Sequence, residues 1–283
     1  MATILDTLKK GTEYLQKHDV EEARLNMELL IAHVLKTGRM QLYIDFDREI
    51  PENALESLRD LTKRRGRGEP LQHLLGTVEF CDLDFKTDHR ALIPRPETEE
   101  LTRKLFSRQW PQSVSILDMG CGSGVIGLSL AHQFMGRAAQ VTLADLSPEA
   151  LDLARENAAV LPDDGAQVRF VESDLFSSIE GVFDLIVANL PYIPDHEETQ
   201  LSREVRRDPS LALYGGPRGT EIMERFLRES AAFLAPDGLI AMEFGIGQAE
   251  ALRLLAGDLG FDPVEVQSDL SGIERFLFAT KSV

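Results

Sequence analysis

Along the first 75 residues, apolar positions recur at the spacing of an α-helix. Ile4, Leu8, Tyr14 and Leu15 share one face and predict a first helix. A second is predicted to start near Asp19, with Glu22 three residues on as in a capping box. It carries Leu25, Leu29, Leu30, His33, Val34 and Leu35. Pro51 suits the first turn of another helix, with Leu55, Leu58 and Leu61 on its apolar face. That helix runs into Lys63, Arg64, Arg65 and Arg67, cations that suit a helix C-terminus. Between residues 76 and 90 the period changes, and Phe80, Leu83 and Phe85 predict a β-hairpin. The following ALIPRPETEEL has two prolines, which force an extended or turning lead-in to a helix.

From Val114 the chain alternates strands with helices. Predicted strands are SVSILDMG, AQVTLADL, QVRFVESD, FDLIVANL, GLIAMEFG, DPVEVQSD and RFLFATK. Only LSGIE separates the last two, too short for a helix, so they should pair as an antiparallel hairpin. The pattern predicts an α/β fold, a doubly wound, mostly parallel seven-stranded sheet of Rossmann-like type with a C-terminal antiparallel hairpin. The organisation read from the chain is a small all-α domain over 1–75, a β-hairpin linker over 76–92 and a Rossmann-like domain over 93–283.

Composition narrows the function classes. Of the 283 residues, 43% are apolar, as a globular chain requires, and the net charge is −17. So acidic a surface repels phosphate backbones and argues against a nucleic-acid substrate. Cys81 and Cys121 are the sole cysteines, too few for a disulfide framework or a zinc site. The amphipathic N-terminus lacks a signal-peptide core, and no apolar stretch reaches the roughly 20 residues of a membrane span. A cytoplasmic, membrane-free protein is expected. The basic run at 63–67 has two readings, a helix end or a site for phosphate or a partner.

Four motifs carry candidate chemistry. In ILDMGCGSGVIG a strand turns through Gly120, Cys121, Gly122, Ser123 and Gly124 into a helix. Glycines there let the backbone approach a ligand, and the helix start offers free N–H groups. Gly122, Gly124 and Gly127 also spell GxGxxG, so a dinucleotide must be weighed. Asp145, about twenty residues on, suits the ribose hydroxyls of a dinucleotide or of S-adenosylmethionine. Ser147-Pro148 caps the next helix. Asp174, ending a further strand, can accept from an adenine amino group, with Leu175 or Phe176 packed on the ring. The plainer reading of either aspartate is a turn residue.

The deciding element is Asn189-Leu190-Pro191-Tyr192, at the end of FDLIVANLPYIP. The Asn189 carboxamide and the Leu190 carbonyl can accept the two hydrogens of a planar N–H₂ group, and Tyr192 offers a face to lie on. Such a site suits methylation of a neutral nitrogen, whose lone pair must be aimed at the methyl carbon. A nicotinamide enzyme has no use for it.

Together these motifs resemble a class I methyltransferase. Two further runs, PLQHLLGTVEF with LIPRPETEEL, resemble the HemK/PrmC family of peptide chain release factor N5-glutamine methyltransferases. EVRRDPSLALYGGPRGTEI and DLSGIERFL are similar to that family too, so the resemblance covers essentially the whole chain. It implies methyl transfer from S-adenosylmethionine to the side-chain amide of the glutamine in the Gly-Gly-Gln tip of class 1 release factors. It implies cofactor contacts from Gly120 to Gly124, Asp145, Asp174, Leu175 and Asn189. Catalytic Asn189 and Tyr192, with Leu190 and Pro191, would hold the glutamine, and the helical domain of a monomer would dock the release factor. Two residues depart from the family pattern. Leu190 stands where the family usually has proline, which keeps the carbonyl but loses rigidity. Leu175 stands where an aromatic is common.

Three alternatives compete. A ribosomal-protein glutamine methyltransferase would carry a different run in place of Pro-Arg-Pro-Glu-Thr-Glu. Asn-Leu-Pro-Tyr also occurs in rRNA adenine methyltransferases, against which the acidic charge and the leading helical domain argue. A binding module on an inactive methyltransferase fold conflicts with an intact glycine loop beside an intact Asn189 and Tyr192.

Overall fold

A computed structural model describes residues 2–162 and 166–281. They form two compact units, one running to Thr77 and taking in Ser202–Arg207, the other spanning Val78–Leu201 and continuing from Asp208.

The first unit is helical: α1 (Ile4–Gln16), α2 (Ala23–Leu35), α3 (Arg39–Ile44), α4 (Glu52–Gly66) and α5 (Leu71–Leu75). Leu8, Leu15, Met27, Leu30, Ile31 and Leu58 are buried in its core. The capping box expected at Asp19 does not form. Helix α2 starts at Ala23, four residues later, and Glu22 precedes it in a left-handed conformation with no side-chain cap. Asp19 is itself left-handed, in the turn that closes α1. Pro51 sits one residue before α4 rather than inside its first turn.

The basic run at the end of α4 is largely neutralised within the unit. Arg64 pairs with Glu69 at 2.5 Å. Arg65 is buried, and its guanidinium donates to Asn26 Oδ1 at 2.6 Å, the Glu69 carbonyl at 3.1 Å and Glu204 at 2.5 Å. A buried guanidinium needs such partners to offset its lost hydration. For these two arginines the structural reading of the run is the better one.

The second unit opens with the expected two-stranded hairpin, β1 (Thr77–Phe80) and β2 (Leu83–Lys86). Cys81 and Asp82 join the strands, both at positive φ, as a tight two-residue turn requires. Helix α6 (Pro96–Phe106) follows with Pro96 in its first turn. The alternation then runs β3 (Ser113–Met119), α7 (Val125–Gln133), β4 (Ala138–Asp145), α8 (Pro148–Asn157), β5 (Gln167–Glu172) and β6 (Phe183–Asn189). Short strands β7 (Ile193–Pro194) and β8 (Tyr214–Gly216) come next. They are followed by α9 (Glu221–Ser230), β9 (Leu234–Glu243), α10 (Ala249–Asp258), β10 (Phe261–Ser268) and β11 (Glu274–Lys281).

All seven predicted strands join one sheet, in the order β10-β11-β9-β6-β3-β4-β5. The five from β3 to β9 are parallel, and β11 and β10 close the sheet antiparallel. The β10–β11 ladder carries register shifts after Phe261 and after Gln267.

Alternation along the strands builds two cores. Ile116, Leu185, Val187, Leu239, Phe276 and Phe278 face α6, α7 and α8. Leu117, Ile186, Ile240, Met242, Leu277 and Ala279 face α9 and α10. The chain steps outward through β3, β4 and β5, then returns to place β6 on the other side of β3. That reversal opens a crevice at the carboxyl ends of β3 and β6, where doubly wound sheets bind ligands.

Candidate active site

A cavity of about 400 Å³ lies at those carboxyl ends, within the size range of small-molecule sites. Gly120, Cys121, Gly122, Ser123, Asp145, Asp174, Leu175, Asn189, Leu190 and Pro191 line it; Gly124 does not, and packs instead against Leu128, Leu143 and Ala154. Tyr192 does not line the cavity; its half-buried ring packs against Gly245.

The loop takes its shape from three glycines with positive φ, Gly120, Gly122 and Gly124 at 69°, 53° and 82°. The N–H groups of Gly120 and Cys121 both donate to the Ala144 carbonyl, at 2.8 and 3.0 Å, which ties the loop to the end of β4. Asp145 completes the tie: Oδ2 accepts from Gly122 N–H at 2.8 Å and Oδ1 from Ser147 N–H at 2.9 Å. Each oxygen retains a lone pair for a ligand. Ser147 Oγ accepts from Ala150 N–H, the cap expected for α8. From the far end of α8, buried Asn157 donates to the Ser123 carbonyl at 2.9 Å and bonds both backbone groups of Lys86.

Asp174 stands at the cavity mouth, half-exposed and ion-paired with Arg225. Leu175 is buried at a positive φ of 46°. Leu146 and Leu211 line the cavity while exposing apolar surface, as walls that await an apolar partner do.

The Asn189 tetrad is held from three directions. Parallel pairing of β7 with β8 brings the YGGPRG run against it. A Cβ on Gly215 would lie 2.4 Å from the Pro191 carbonyl oxygen, and one on Gly219 2.4 Å from that of Tyr192, so neither position admits a side chain. Gln248 spans the third side, donating to the Tyr192 carbonyl at 2.9 Å while accepting from Gly245 N–H at 2.7 Å.

Three buried residues near the tetrad escaped the sequence reading as site candidates. Thr98, in the first turn of α6, accepts from Asn189 Nδ2 at 2.9 Å and donates to Glu243 Oε2 at 2.7 Å. Glu243 ends β9 directly beside Asn189 in the ladder, and burial pushes its carboxyl up to about 7. Asp118, under the glycine loop, accepts from Gly127 N–H at 2.8 Å and is likewise raised to about 7 by burial. Thr98 lies inside the Pro-Arg-Pro-Glu-Thr-Glu run; nothing local marked Glu243, whose role arises from strand register.

That run meets another stretch of the resemblance. Arg95 pairs at 2.5 Å with Asp208, which also accepts from Ile93 N–H.

Comparison with known proteins decides the family. The PrmC N-terminal domain family matches residues 6–76, and the methyltransferase small domain family matches residues 98–208. The release factor glutamine methyltransferase of Deinococcus radiodurans is 38% identical over 278 residues, 98% of each chain. The chain belongs to the release factor glutamine methyltransferase family. A Geobacter sulfurreducens member of that family is also 38% identical, over 96% of this chain and 95% of its own. A methyltransferase structure from Pyrococcus furiosus shares the fold, with a TM-score of 0.54 at 20% identity over 71% of this chain and 90% of that one. Asn189 lines the same cavity as the glycine loop. Among the described residues, no helix is long and apolar enough to cross a membrane.

Proposed function

We propose that this chain transfers a methyl group from S-adenosylmethionine to the side-chain amide nitrogen of the glutamine in the Gly-Gly-Gln tip of class 1 release factors. The supporting observation is the meeting of the glycine loop and the Asn189 tetrad on one cavity, in a chain similar over its full length to release factor glutamine methyltransferases.

The cavity fits the cofactor. Gly120 to Ser123 line it with close backbone and no side chain at Gly120 and Gly122, Asp145 has lone pairs for ribose hydroxyls, and Leu146, Leu175 and Ile222 give apolar walls. Asp174 stands at the rim for the adenine amino group. When bound, the cofactor supplies a methyl carbon made electrophilic by its sulfonium.

The chain's own residues do the rest. Asn189 Oδ1 and the Leu190 carbonyl accept the two hydrogens of the glutamine amide, while Tyr192, whose ring does not line the cavity, supports the tetrad from outside it. An amide nitrogen is a poor nucleophile, so holding its lone pair on line with the methyl carbon is the main source of rate. A net charge of −17 supports a protein substrate over a nucleic acid, acting with a monomer whose helical unit docks the release factor.

The test is mass spectrometry of purified release factor after incubation with the enzyme and labelled S-adenosylmethionine. A single methyl group on the Gly-Gly-Gln glutamine is expected. Label on ribosomal protein or rRNA, with none on release factor, would replace this reading with one of its competitors.

A further inference from the structure

Resting on that reading, we propose that Glu243 and Thr98 are positioning residues that fix which way the Asn189 carboxamide faces. Glu243 accepts the Thr98 hydroxyl hydrogen, Thr98 Oγ1 therefore accepts an N–H from Asn189, and Asn189 Oδ1 is left as the atom turned to the substrate amide.

The geometry carries the argument. A carboxamide has an oxygen and a nitrogen of similar size, and nothing in its shape says which of them faces the substrate. A methyltransferase for an amide needs the oxygen there, because an N–H₂ group would oppose the substrate's own N–H₂. A threonine hydroxyl has one hydrogen. When a carboxylate, which can only accept, takes that hydrogen, the remaining bonds of Oγ1 can only be accepted ones. The Asn189 group facing Thr98 must then be nitrogen, as observed at 2.9 Å. Thr98 and Glu243 are 3% and 2% exposed, so water does not compete for the relay.

The relay responds to protonation. A protonated Glu243 gains a hydrogen that it can donate to Thr98; the hydroxyl hydrogen is then free to point at Asn189, and the ionised acid's hold on the carboxamide orientation is lost. The groups facing Glu243 are Thr98 and Glu97 from α6, Tyr192 after β6, and Arg275 from β11, which is itself paired with Asp269. Burial and Glu97 favour the protonated form; Thr98, Arg275 and Tyr192 oppose it. The balance puts Glu243 at about 7, inside the working range of an enzyme.

Single-turnover methyl transfer to intact release factor, at saturating S-adenosylmethionine and from about pH 5.5 to about pH 9, tests this. Wild type should lose rate on the acid side with a midpoint near that of Glu243. Glu243→Gln, whose amide can offer Thr98 an oxygen at every pH, should remove that acid limb. Thr98→Val should slow transfer at least about tenfold with cofactor affinity unchanged, and Thr98→Ser should restore it. Transfer by Thr98→Val at the wild-type rate, or an acid limb surviving in Glu243→Gln, overturns the proposal. A second readout needs no substrate: the side-chain N–H₂ signals of Asn189 in ¹⁵N spectra should titrate with Glu243 in wild type and stay fixed in Glu243→Gln. Signals that do not titrate in wild type overturn the relay. Absence of any transfer by wild type, with the titration present, leaves the relay standing and removes the release factor reading alone.

Discussion

The backbone N–H of Gly122 donates to Asp145 Oδ2 at 2.8 Å, so the residue that would bind the ribose also sets the shape of the loop above it. Asp145→Asn puts an N–H₂ group opposite one of two backbone donors, Gly122 or Ser147. Cofactor affinity should fall about 10–100-fold, from lost ribose bonds and a loosened loop together. Titration calorimetry reads this directly. Unchanged affinity would mean that the loop and ribose are held without this carboxylate.

Gly127 touches both the sheet and Asp118. A Cβ there would lie 2.2 Å from Leu143 Cδ2 and 3.0 Å from Asp118 Oδ2. Gly127→Ala must displace the buried Leu143 side chain or push α7 off β4, and is expected to cost about 1–3 kcal/mol. Thermal unfolding should show a lowered Tm; a stabilised variant would mean that α7 moves freely.

Asp118 gives stability a pH dependence of known sign. Its folded-state pKa is raised by burial to about 7, while the unfolded chain titrates near the ordinary 3.8. The folded state thus binds the extra proton between those values. The stabilisation is full below the unfolded pKa and is lost as pH rises through about 7, at most roughly 4 kcal/mol for a shift of this size. Glu243 adds in the same direction. Asp118→Asn cannot ionise, so its Tm should fall less than that of wild type between about pH 5 and about pH 8. Parallel Tm curves would show Asp118 ionised throughout.

At Asn189 the expected effect is on rate rather than cofactor binding. Asn189→Ala removes an acceptor for the substrate amide, at about 1–3 kcal/mol plus any loss of alignment. Asn189→Asp keeps an acceptor but cannot donate to Thr98, and should also lose most transfer. Leu190→Pro keeps the carbonyl and should transfer within about threefold of wild type, yet Leu190 is buried and its loss should cost about 1–2 kcal/mol of stability. Single-turnover assays with denaturant unfolding separate the two effects. Wild-type transfer by Asn189→Ala would remove this residue from the orienting role.

The sheet was legible because short, nearly continuous apolar runs such as ILDM and FDLIVAN mark strands buried on both faces, and because glycines mark the loop where the chain turns. The cavity was legible for the same reason: its polar residues end strands. What local pattern could not supply was distance across the fold. Glu243 reads as one more acidic residue after an apolar strand until the register sets it beside Asn189. The misplaced capping box has a related cause. Asp19 and Glu22 have the right spacing, but the chain needs two left-handed residues there to turn α1 into α2. Strands β7 and β8 were too short to show any period, and Gly215 and Gly219 make room for the carbonyls of Pro191 and Tyr192, which the sequence places far from them.

The register shifts at both ends of the β10–β11 ladder reach beyond the hairpin itself. Strand β10 is an outer edge of the sheet, where unpaired backbone groups invite another chain. Pro263 contributes no N–H to that edge, and Asp262 and Glu265 place charge along it. An incoming strand would find neither a continuous ladder nor a neutral face, which disfavours strand addition at this edge.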